Sequence, residues 1–433
     1  MVINLSPQVE KALAMLNDAG LEAYLVGGAV RDLCLVGCSH VKDWDIATAA
    51  GTDEIKTVFA GFRIIETGIK HGTVTVIVDG EPLEITTFRH GDSLRQDLIH
   101  RDFTMNTLAY HREQGVIDLY GGAEDFKKRK LRCVGSSLER FCEDPLRILR
   151  GLRFASVLDM DIDEEAAAAM RRNKDLLQNV AVERIRNELT QMLCGPSIGR
   201  ILREFSDVLA VPLPEIKSMI GFEQYHPYHC YDIWGHTVVV VEKVPAEPVL
   251  AWAALFHDMG KPFCFSRDPQ GVGHFYGHAA KSAEIADRIM ERLKFDHVSR
   301  KEISFLVEHH DRSIAPNEKS VKRALRQYGV ERLSRLIRLG RADTLGHTRE
   351  CWHYLEEFDQ LEQMIQFAIA VGKPFSREDL AVNGKDLIQL GYEGPAIGEA
   401  LNLLVDAVIC DDLKNEKDAL ITYLRKRKSM KQT

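Results

Sequence analysis

Two aspartates separated by one residue, Asp43 and Asp45, are the side chains in this sequence best suited to hold a metal ion. On a β-strand, side chains two residues apart point to the same face. Two carboxylates held this close repel each other unless a divalent cation lies between them, and hard cations such as Mg2+ prefer oxygen ligands. Upstream, Gly27 and Gly28 separate an apolar strand from a short helix with Arg31, so backbone N–H groups there could approach phosphate oxygens. Together these residues predict a metal–phosphate site.

A second group of candidate ligands lies in residues 226–310, which contain nine of the sixteen histidines. An apolar stretch ends in His257 and Asp258, with His236 upstream and Asp343 downstream. Imidazole and carboxylate together suit transition metals better than Mg2+. A lone histidine on an apolar helix is usually a core residue, whereas an ordered set of this kind favours a metal site.

The elements that must position these residues change in character along the chain. Short apolar strands are expected at 23–26, 62–66, 72–78 and 83–89, and helices at 6–20 and 52–60. Beyond residue 137 strand signals fade and helical periodicity dominates, with helices expected at 144–158 and 165–193. The pattern predicts an α+β fold, in which a small mixed sheet is followed by an all-helical remainder.

One strand residue and one helix add charged groups to this picture. On strand 83–89, Glu84 falls on the face opposite Leu83, where it could be a third metal carboxylate or a solvent-facing residue. Helix 144–158 carries Arg147, Arg150 and Arg153 at i,i+3 spacing. These arginines either point into solvent or line a cleft.

Composition narrows the class of protein. With 433 residues, of which 45% are hydrophobic and 28% charged, the chain can bury a sizeable core and should form two or more domains. The formal charge of −8 argues against non-specific coating of nucleic acid, although basic stretches at 127–132 and 425–431 leave room for a nucleic-acid substrate. Nine cysteines at irregular spacings indicate reduced thiols. Without a signal peptide or a membrane-spanning run, we expect a cytoplasmic protein.

The motif LVGGAVRD (25–32) followed by DWDIAT (43–48) resembles the signature of class II tRNA nucleotidyltransferases. This family contains the CCA-adding enzymes and bacterial poly(A) polymerases and belongs to the polymerase β superfamily. Further matches cover roughly the first half of the chain in the family's order. They are HGTVTV (71–76), EITTFR (84–89), HRDFTMNT (100–107), DLYGGAEDF (118–126), EDPLRILRGLRF (143–154) and VERIRNEL (182–189).

The resemblance implies roles for these residues. Asp43 and Asp45 would hold catalytic Mg2+. Glu84, from its position on strand 83–89, is a further candidate catalytic carboxylate. The residues expected to bind the nucleotide are Gly27, Gly28, Arg31, Arg101, Asp102, Asn106, Asp144, Arg147, Arg150 and Arg153.

The segment with Asp144 and Arg147 resembles the family's protein template for the incoming base. One helical turn apart, the two side chains offer an acceptor beside a donor, which complements the Watson–Crick edges of cytosine and adenine. Uracil and guanine present the reverse pattern and would leave buried polar groups unpaired. The alternative is an ordinary surface ion pair, worth about 0.2–0.5 kcal/mol.

The histidine-rich block resembles an HD-type metal phosphohydrolase domain. The matching ligands are His236, His257, Asp258 and Asp343, and the candidates for a second metal are His278, His309 and His310. Such a site, with a transition metal of unknown identity, could act on damaged or cyclic phosphate ends of RNA. It could also be a degenerate helical spacer.

The link between the TTFR strand and the RDFT segment, residues 90–96, is short for the family. A long flexible loop at this point is associated with the switch from cytidine to adenosine addition, and its shortening resembles members that add only the two cytidines. A separate enzyme would then add the terminal adenosine. Simple loop trimming is the alternative.

We therefore expect a cytoplasmic tRNA nucleotidyltransferase that uses CTP, and ATP if it completes CCA, at the tRNA 3′ end. The predicted domains are a head (1–136), a helical neck for base recognition and RNA binding (137–212), an HD domain (213–350) and a helical tRNA-binding tail (351–433). The alternatives are a poly(A) polymerase, an HD phosphohydrolase with an inactive head, and an RNA-binding protein without chemistry.

Overall fold

The computed structural model describes residues 4–36, 43–69, 72–89, 91, 93–371, 377–409 and 412–430. The chain divides into two compact units, Met1–Pro214 and Glu215–Thr433. The finer division into head, neck, HD domain and tail stays a prediction. None of the helices formed by the described residues is both long and apolar enough to cross a membrane.

Among the described residues of the first unit, seven strands form one mixed sheet in the order β3-β4-β5-β2-β1-β6-β7. Strands β2 and β5 pair in parallel, and the other neighbours in the sheet are antiparallel. A separate parallel pair joins β8 and β9. The strands are β1 (Ala23–Val26), β2 (Trp44–Thr48), β3 (Arg63–Ile65), β4 (Thr73–Val78), β5 (Glu81–Thr87), β6 (Ala109–His111), β7 (Gly115–Ile117), β8 (Lys130–Leu131) and β9 (Asp161–Ile162).

Helices flank the sheet and then take over the chain. The helices of the first unit are α1 (Pro7–Asp18), α2 (Gly28–Arg31), α3 (Thr52–Val58), α4 (Leu94–Ile99), α5 (Gly122–Lys127), α6 (Ser137–Glu143), α7 (Leu146–Val157), α8 (Glu164–Asn173), α9 (Val182–Leu193), α10 (Ile198–Glu204) and α11 (Ser206–Leu209). Ser6 caps α1 by accepting a hydrogen bond from the Val9 N–H, and Ser93 caps α4 in the same way.

The sheet separates an apolar core from the side where the candidate metal ligands lie. Leu25, Trp44 and Ile46 pack with the buried face of α1. Because strand side chains alternate, Asp45 points away from this core, to the same face as Ala47. The hydrophobic face of the sheet therefore fixes the orientation of the carboxylate.

The described residues of the second unit are almost entirely helical, with one two-stranded hairpin of β10 (Ser266–Arg267) and β11 (Gly273–His274). Helix α16 is interrupted at Gly329, which has a φ of +77°. The helices are α12 (Ile233–Lys243), α13 (Pro248–Phe256), α14 (His278–Arg292), α15 (His297–His309), α16 (Glu318–Leu345), α17 (Leu355–Val371), α18 (Gly384–Gln389), α19 (Pro395–Ile409) and α20 (Lys417–Met430).

The α+β prediction is confirmed, and the first predicted strand has the expected bounds. The expectation of an all-helical remainder is wrong in detail, because β9 and the β10–β11 hairpin lie within it. The predicted helix start at Asp144 is also wrong. Asp144 has an extended backbone (φ −140°, ψ 99°), as expected for a residue that precedes a proline, and α7 begins at Leu146.

Two further expectations from the sequence differ from the structure. The helix expected over 165–193 is two helices, α8 and α9, joined by a 3-10 segment at Lys174–Asn179. The basic stretch 127–132 is largely paired with acidic side chains, so it is less positive than its sequence indicates. These pairs are Lys128–Glu124, Arg129–Asp159, Lys130–Asp163 and Arg132–Asp125.

Candidate functional site

A cavity of about 750 Å3 in the first unit collects every nucleotide- and metal-binding residue predicted for the head and the helical neck. Its wall is formed by the turn after β1, by β2 and β5, by the segment after α4, and by α7 and α9. The predicted residues that line it are Gly27, Gly28, Arg31, Asp43, Asp45, Glu84, Arg101, Asp102, Asn106, Asp144, Arg147, Arg150 and Arg153.

Three carboxylates converge at one end of the cavity. Asp45 on β2 lies opposite Glu84 on β5, and Asp43 immediately precedes β2. Burial raises the pKa of Asp45, and Asp43 adds to this rise while Arg101 opposes it. Burial also raises the pKa of Glu84, with Asp45 and Asp43 contributing. Each of these negative charges makes ionisation of its neighbours less favourable. A bound divalent cation would remove this repulsion, so the three carboxylates suit a metal site.

The glycine turn after β1 gives the backbone close access to the cavity. Gly27 has a φ of +75°, and its N–H donates to the Leu108 carbonyl at 3.0 Å. A Cβ at this position would lie 2.8 Å from Nη1 of Arg101 and 4.0 Å from Oδ2 of Asp45. The absence of a side chain at Gly27 thus leaves room for Arg101 beside the carboxylates.

A buried polar network holds the arginines on the opposite wall. Arg150 donates to Oδ2 of Asp102 through Nε and Nη2, at 2.9 and 2.7 Å. Asn106 donates to the other oxygen of Asp102 at 2.9 Å and accepts from Arg31 at 2.8 Å. Burial works against the charge on Asp102, but Arg150 and the hydrogen bonds hold the pKa of this carboxyl below its usual value. Asp102 therefore orients Arg150 and Asn106, and both of its carboxylate oxygens accept hydrogen bonds.

The two residues predicted to read the base bind other partners instead of each other. Asp144 accepts from the Leu146 N–H at 3.1 Å and from Arg184 on α9 at 3.1 Å. Arg147 donates to Glu143 at 2.8 Å and to the backbone carbonyl of His100 at 2.8 Å. Both side chains line the cavity, so each is held in place by neighbours while facing it.

Three contributors to the cavity were missed in the sequence. Asp97 is buried and accepts from Arg101 at 3.3–3.4 Å, which fixes that guanidinium. Arg184 holds Asp144, and Phe154 lies under Arg153 at 4.0 Å from the ring centroid. All three lie within or beside the family motifs, but local spacing does not show which side chains they would meet.

In the second unit, four imidazoles turn their Nε2 atoms towards two aspartates. In each ring Nδ1 faces a backbone carbonyl, which can only accept, so Nδ1 carries a proton and Nε2 is the nitrogen through which a metal ion could bind. The Nδ1···O distances are 3.2 Å for His236 to Gly346, 2.7 Å for His257 to Ala254, 2.9 Å for His278 to Phe275 and 2.7 Å for His310 to Val307.

Ligand atoms of two histidines and two aspartates form a group at the centre of this site, which we call the central group. Nε2 of His236 and Nε2 of His257 are 3.4 Å apart, and both face Oδ1 of Asp343, at 2.9 and 3.4 Å. Oδ2 of Asp258 completes the group, 3.2 Å from His257 and 3.6 Å from His236. Donor atoms bound at about 2.0–2.1 Å to a tetrahedral ion lie roughly 3.3 Å apart, so these four residues fit one transition-metal ion.

A second group uses the other oxygen of Asp258. His278 and His310 bring their Nε2 atoms to 3.2 Å from each other and to 3.5 and 3.8 Å from Oδ1 of Asp258. His309 is placed elsewhere, because its Nδ1 binds the Phe305 carbonyl and its ring stacks on Phe305 at 4.3 Å. Of the two adjacent histidines, His310 is the one that faces Asp258.

The electrostatics of the central group call for a positive charge. Burial disfavours the imidazolium form, but Asp258 and Asp343 outweigh it and raise the pKa of His257 to about 10. Lys261, which sequence reasoning missed, is buried and lies 2.7 Å from Oδ2 of Asp258. A metal ion would add positive charge beside the two aspartates.

A head sheet with clustered carboxylates and a glycine turn, followed by arginine-bearing helices around one cavity, defines a nucleotidyltransferase. Family models agree: residues 23–132 match the poly A polymerase head domain. Residues 159–219 match the probable RNA and SrmB-binding site of polymerase A, and residues 275–424 match the putative tRNA nucleotidyltransferase domain 2.

Comparison with characterised proteins is more specific. The chain is 32% identical over 437 residues to the CCA-adding enzyme of Lactobacillus helveticus, covering 95% of each chain. It is also 32% identical to that of Pediococcus pentosaceus, covering 96% of each. A crystal structure of the Bacillus stearothermophilus CCA-adding enzyme in complex with CTP matches with a TM-score of 0.72 and 26% identity over 99% of each chain. This chain belongs to the CCA-adding enzyme family, whose nucleotidyltransferases are metal-dependent.

Proposed function

We propose that this protein adds cytidine, and adenosine where it completes CCA, to the 3′ end of tRNA, using CTP and ATP and releasing pyrophosphate. One observation carries the proposal: in a member of the CCA-adding enzyme family, a single cavity brings the carboxylates, the arginines and the base-facing pair together. The tRNA 3′-hydroxyl attacks the α-phosphate of the nucleotide, and pyrophosphate leaves.

Each side of the cavity has its own task in this proposal. Asp43 and Asp45, with Glu84 beside them, are the ligands for Mg2+, which supplies a lowered pKa for the attacking hydroxyl and charge neutralisation on the triphosphate. The Gly27–Gly28 backbone and Arg31 bind the triphosphate. The groups that contact or orient the ribose and phosphates are Arg101, Asp102, Asn106, Arg150 and Arg153.

Base selection is assigned to Asp144 and Arg147. The anchoring of Arg147 to the His100 carbonyl and of Asp144 to Arg184 pre-positions an acceptor and a donor at the cavity wall. A base with an amino donor beside a ring-nitrogen acceptor satisfies both groups. Uracil and guanine would leave them unpaired.

The decisive experiment incubates the protein with Mg2+ and each nucleoside triphosphate singly. The substrates are tRNA transcripts that lack CCA, end in C or end in CC. We expect CMP incorporation on the first two, and a strongly reduced rate with Asp43→Asn or Asp45→Asn. Absence of CMP incorporation on every transcript would refute the proposal. Extension of generic RNA with ATP would instead identify a poly(A) polymerase, and tRNA binding without incorporation an RNA-binding protein.

The short link at 90–96 supports a narrower proposal, in which addition stops after the two cytidines. His90 and Asp92 lie outside the described residues, and α4, capped by Ser93, begins at Leu94. Little chain is thus left for a long loop. AMP addition to the transcript ending in CC would contradict C-only addition while leaving the main proposal intact, and its absence would support a separate A-adding enzyme as partner.

The convergent imidazoles support a second candidate function, a metal-dependent phosphohydrolase acting on RNA ends. His236, His257, Asp258 and Asp343 would hold one ion, and His278 and His310 a second, bridged by Asp258. Lys261 adds a buried cation beside the site that could meet a phosphate. With Mn2+, Co2+ or Ni2+, release of phosphate or opening of a cyclic phosphate on RNA should be lost in His257→Ala and kept in Asp45→Asn. Incorporation of CMP should show the opposite dependence.

We also propose a cytoplasmic location. The described cysteines are all free thiols, which suits a reducing compartment. Fractionation of cells that express a tagged full-length chain tests this directly.

A further inference from the structure

The two aspartates of the histidine-rich site are arranged alike. Asp258 turns Oδ2 towards the central group and Oδ1 towards His278 and His310. Asp343 turns Oδ1 towards the central group, and its Oδ2 lies 3.9 Å from Nδ1 of His347. Each carboxylate therefore has one oxygen at the centre and one facing an outer imidazole.

A second outer pair of imidazoles lies on the Asp343 side. The rings of His229 and His347 have centroids 4.6 Å apart, and both lie close to His236, at 5.7 and 5.0 Å. The ligand atoms of these three histidines lie within 4.8 Å of one another. Nδ1 of His229 is buried and has no hydrogen-bond partner among the described residues. A buried polar atom in this state is costly unless a ligand satisfies it.

Hydrogen bonds to the backbone bring His229 and His347 together. The loop before α12 is tied to the end of α16 by the Thr348 N–H, which donates to the Tyr228 carbonyl at 3.0 Å, so their chain neighbours His347 and His229 come together. Asp232 holds the loop by accepting from the N–H groups of Gly221 and Gly235, at 2.6 and 2.7 Å. His229 is thus presented by a braced loop.

His236 and Asp343 both lie near the outer pair, but only one of them has an atom available as a third ligand. His236 turns Nε2 to the central group, and its Nδ1 donates to the Gly346 carbonyl, so it cannot bind a second ion as a neutral imidazole. Asp343 can, because a carboxylate has two oxygens and one of them already faces His347. Imidazole nitrogens and a carboxylate oxygen are the donors that ions such as Zn2+, Co2+ and Ni2+ take.

We propose that His229, His347 and Oδ2 of Asp343 form a third transition-metal position, next to the central site and opposite the His278–His310 position. The present separations exceed the roughly 3.3 Å expected between ligands of a bound ion, so binding must bring these ligand atoms closer together. This inference rests on the metal centre proposed above, and it extends that centre from two ions to three, with both aspartates as bridges.

Metal content tests the proposal without reference to activity. The full-length chain with Asp43→Asn and Asp45→Asn, which removes the head ligands, is dialysed against Co2+, and bound metal is measured by elemental analysis and visible absorption. We expect about three Co2+ per chain, falling to about two with either His229→Gln or His347→Gln. His353→Gln is the matched control, because His353 is exposed and outside the site, and it should retain about three. Circular dichroism confirms that each variant is folded.

The outcomes separate this proposal from the others. Unchanged Co2+ content in both His229→Gln and His347→Gln would overturn the third position. If the parent then holds about two ions and loses them with His257→Ala and His278→Gln, the two-ion centre stands alone. A parent that binds no Co2+ would overturn both metal proposals. CMP incorporation by the chain with an intact head is measured separately, so failure here does not bear on nucleotidyl transfer.

Discussion

Asp45 and Glu84 lie directly opposite each other on the neighbouring parallel strands β2 and β5. The pairing places a third carboxylate beside the Asp43–Asp45 pair, although the two partners are 39 positions apart in the sequence. Among the described residues, the β2–β5 pairing is the parallel one in the main sheet. The three-carboxylate site therefore depends on the parallel pairing of β2 with β5.

The first prediction concerns these carboxylates. Asp45→Asn should lower the rate of CMP incorporation roughly a thousandfold, equivalent to about 4 kcal/mol of barrier, because a metal ligand is lost. Glu84→Gln should have a smaller effect that excess Mg2+ partly restores. Single-turnover kinetics measure both. Glu124→Gln, which alters an exposed ion pair with Lys128, should keep the wild-type rate, and a wild-type rate in Asp45→Asn would reject the metal assignment.

The second prediction uses the lowered pKa of Asp102. A carboxyl with a lowered pKa in the folded protein stabilises it above about pH 3.9, the value for the unfolded chain, and this stabilisation is lost as the pH falls towards the folded value. Asp102→Asn should therefore cost about 3 kcal/mol at pH 7, and the difference from wild type should shrink below about pH 4.

Denaturant unfolding at several pH values measures this difference. Asp175→Asn, at an exposed position, serves as the control and should match wild type throughout. A pH-independent cost for Asp102→Asn would mean that shape, and not charge, accounts for its contribution.

The third prediction concerns Arg184, which holds Asp144 at 3.1 Å. Because this pair is partly exposed, it is worth only about 1 kcal/mol, and Arg184→Gln should raise the KM for CTP about fivefold and change kcat little. UMP incorporation should rise, since a less restrained Asp144 discriminates less well. Arg172→Gln, at an exposed position on α8, is the matched control. If Arg184→Gln lowers kcat alone, its role is in the chemical step and not in base positioning.

The fourth prediction concerns Gly27, whose φ of +75° is costly for any residue with a side chain. In Gly27→Ala, backbone strain of about 1–3 kcal/mol adds to the displacement of Arg101, which would lie 2.8 Å from the new Cβ. We expect a lower melting temperature and a kcat/KM reduced by about one to two orders of magnitude. Gly61→Ala, where no atom lies within 4 Å of the Cβ position, should change neither.

Patterns of neighbouring residues accounted for most of the local structure. Short apolar runs predicted β1, β4 and β5, and Ser6 predicted where α1 begins. The error at Asp144 also has a local origin, since a proline at position 145 favours an extended backbone at the residue before it.

Contacts between residues far apart in the sequence did not follow from local patterns. Asp144 and Arg147 were expected to act as a pair one helical turn apart, whereas Arg184 and the His100 carbonyl hold them. Likewise, His309 and His310 are equivalent in sequence, but consecutive helical residues point about 100° apart, so only one could face Asp258. The rotation of α15 against its neighbours made that choice.

The sequence by itself determined the family, the α+β class and the set of polar residues that gather in the head cavity, because these follow from motif order, local periodicity and residue chemistry. Only the tertiary structure decided that Glu84 joins Asp45, that Asp97 orients Arg101, and that His229 meets His347. Each of these contacts depends on the register of paired strands, the rotation of packed helices or the path of a braced loop. Those quantities are set by long-range packing, which a local pattern does not encode.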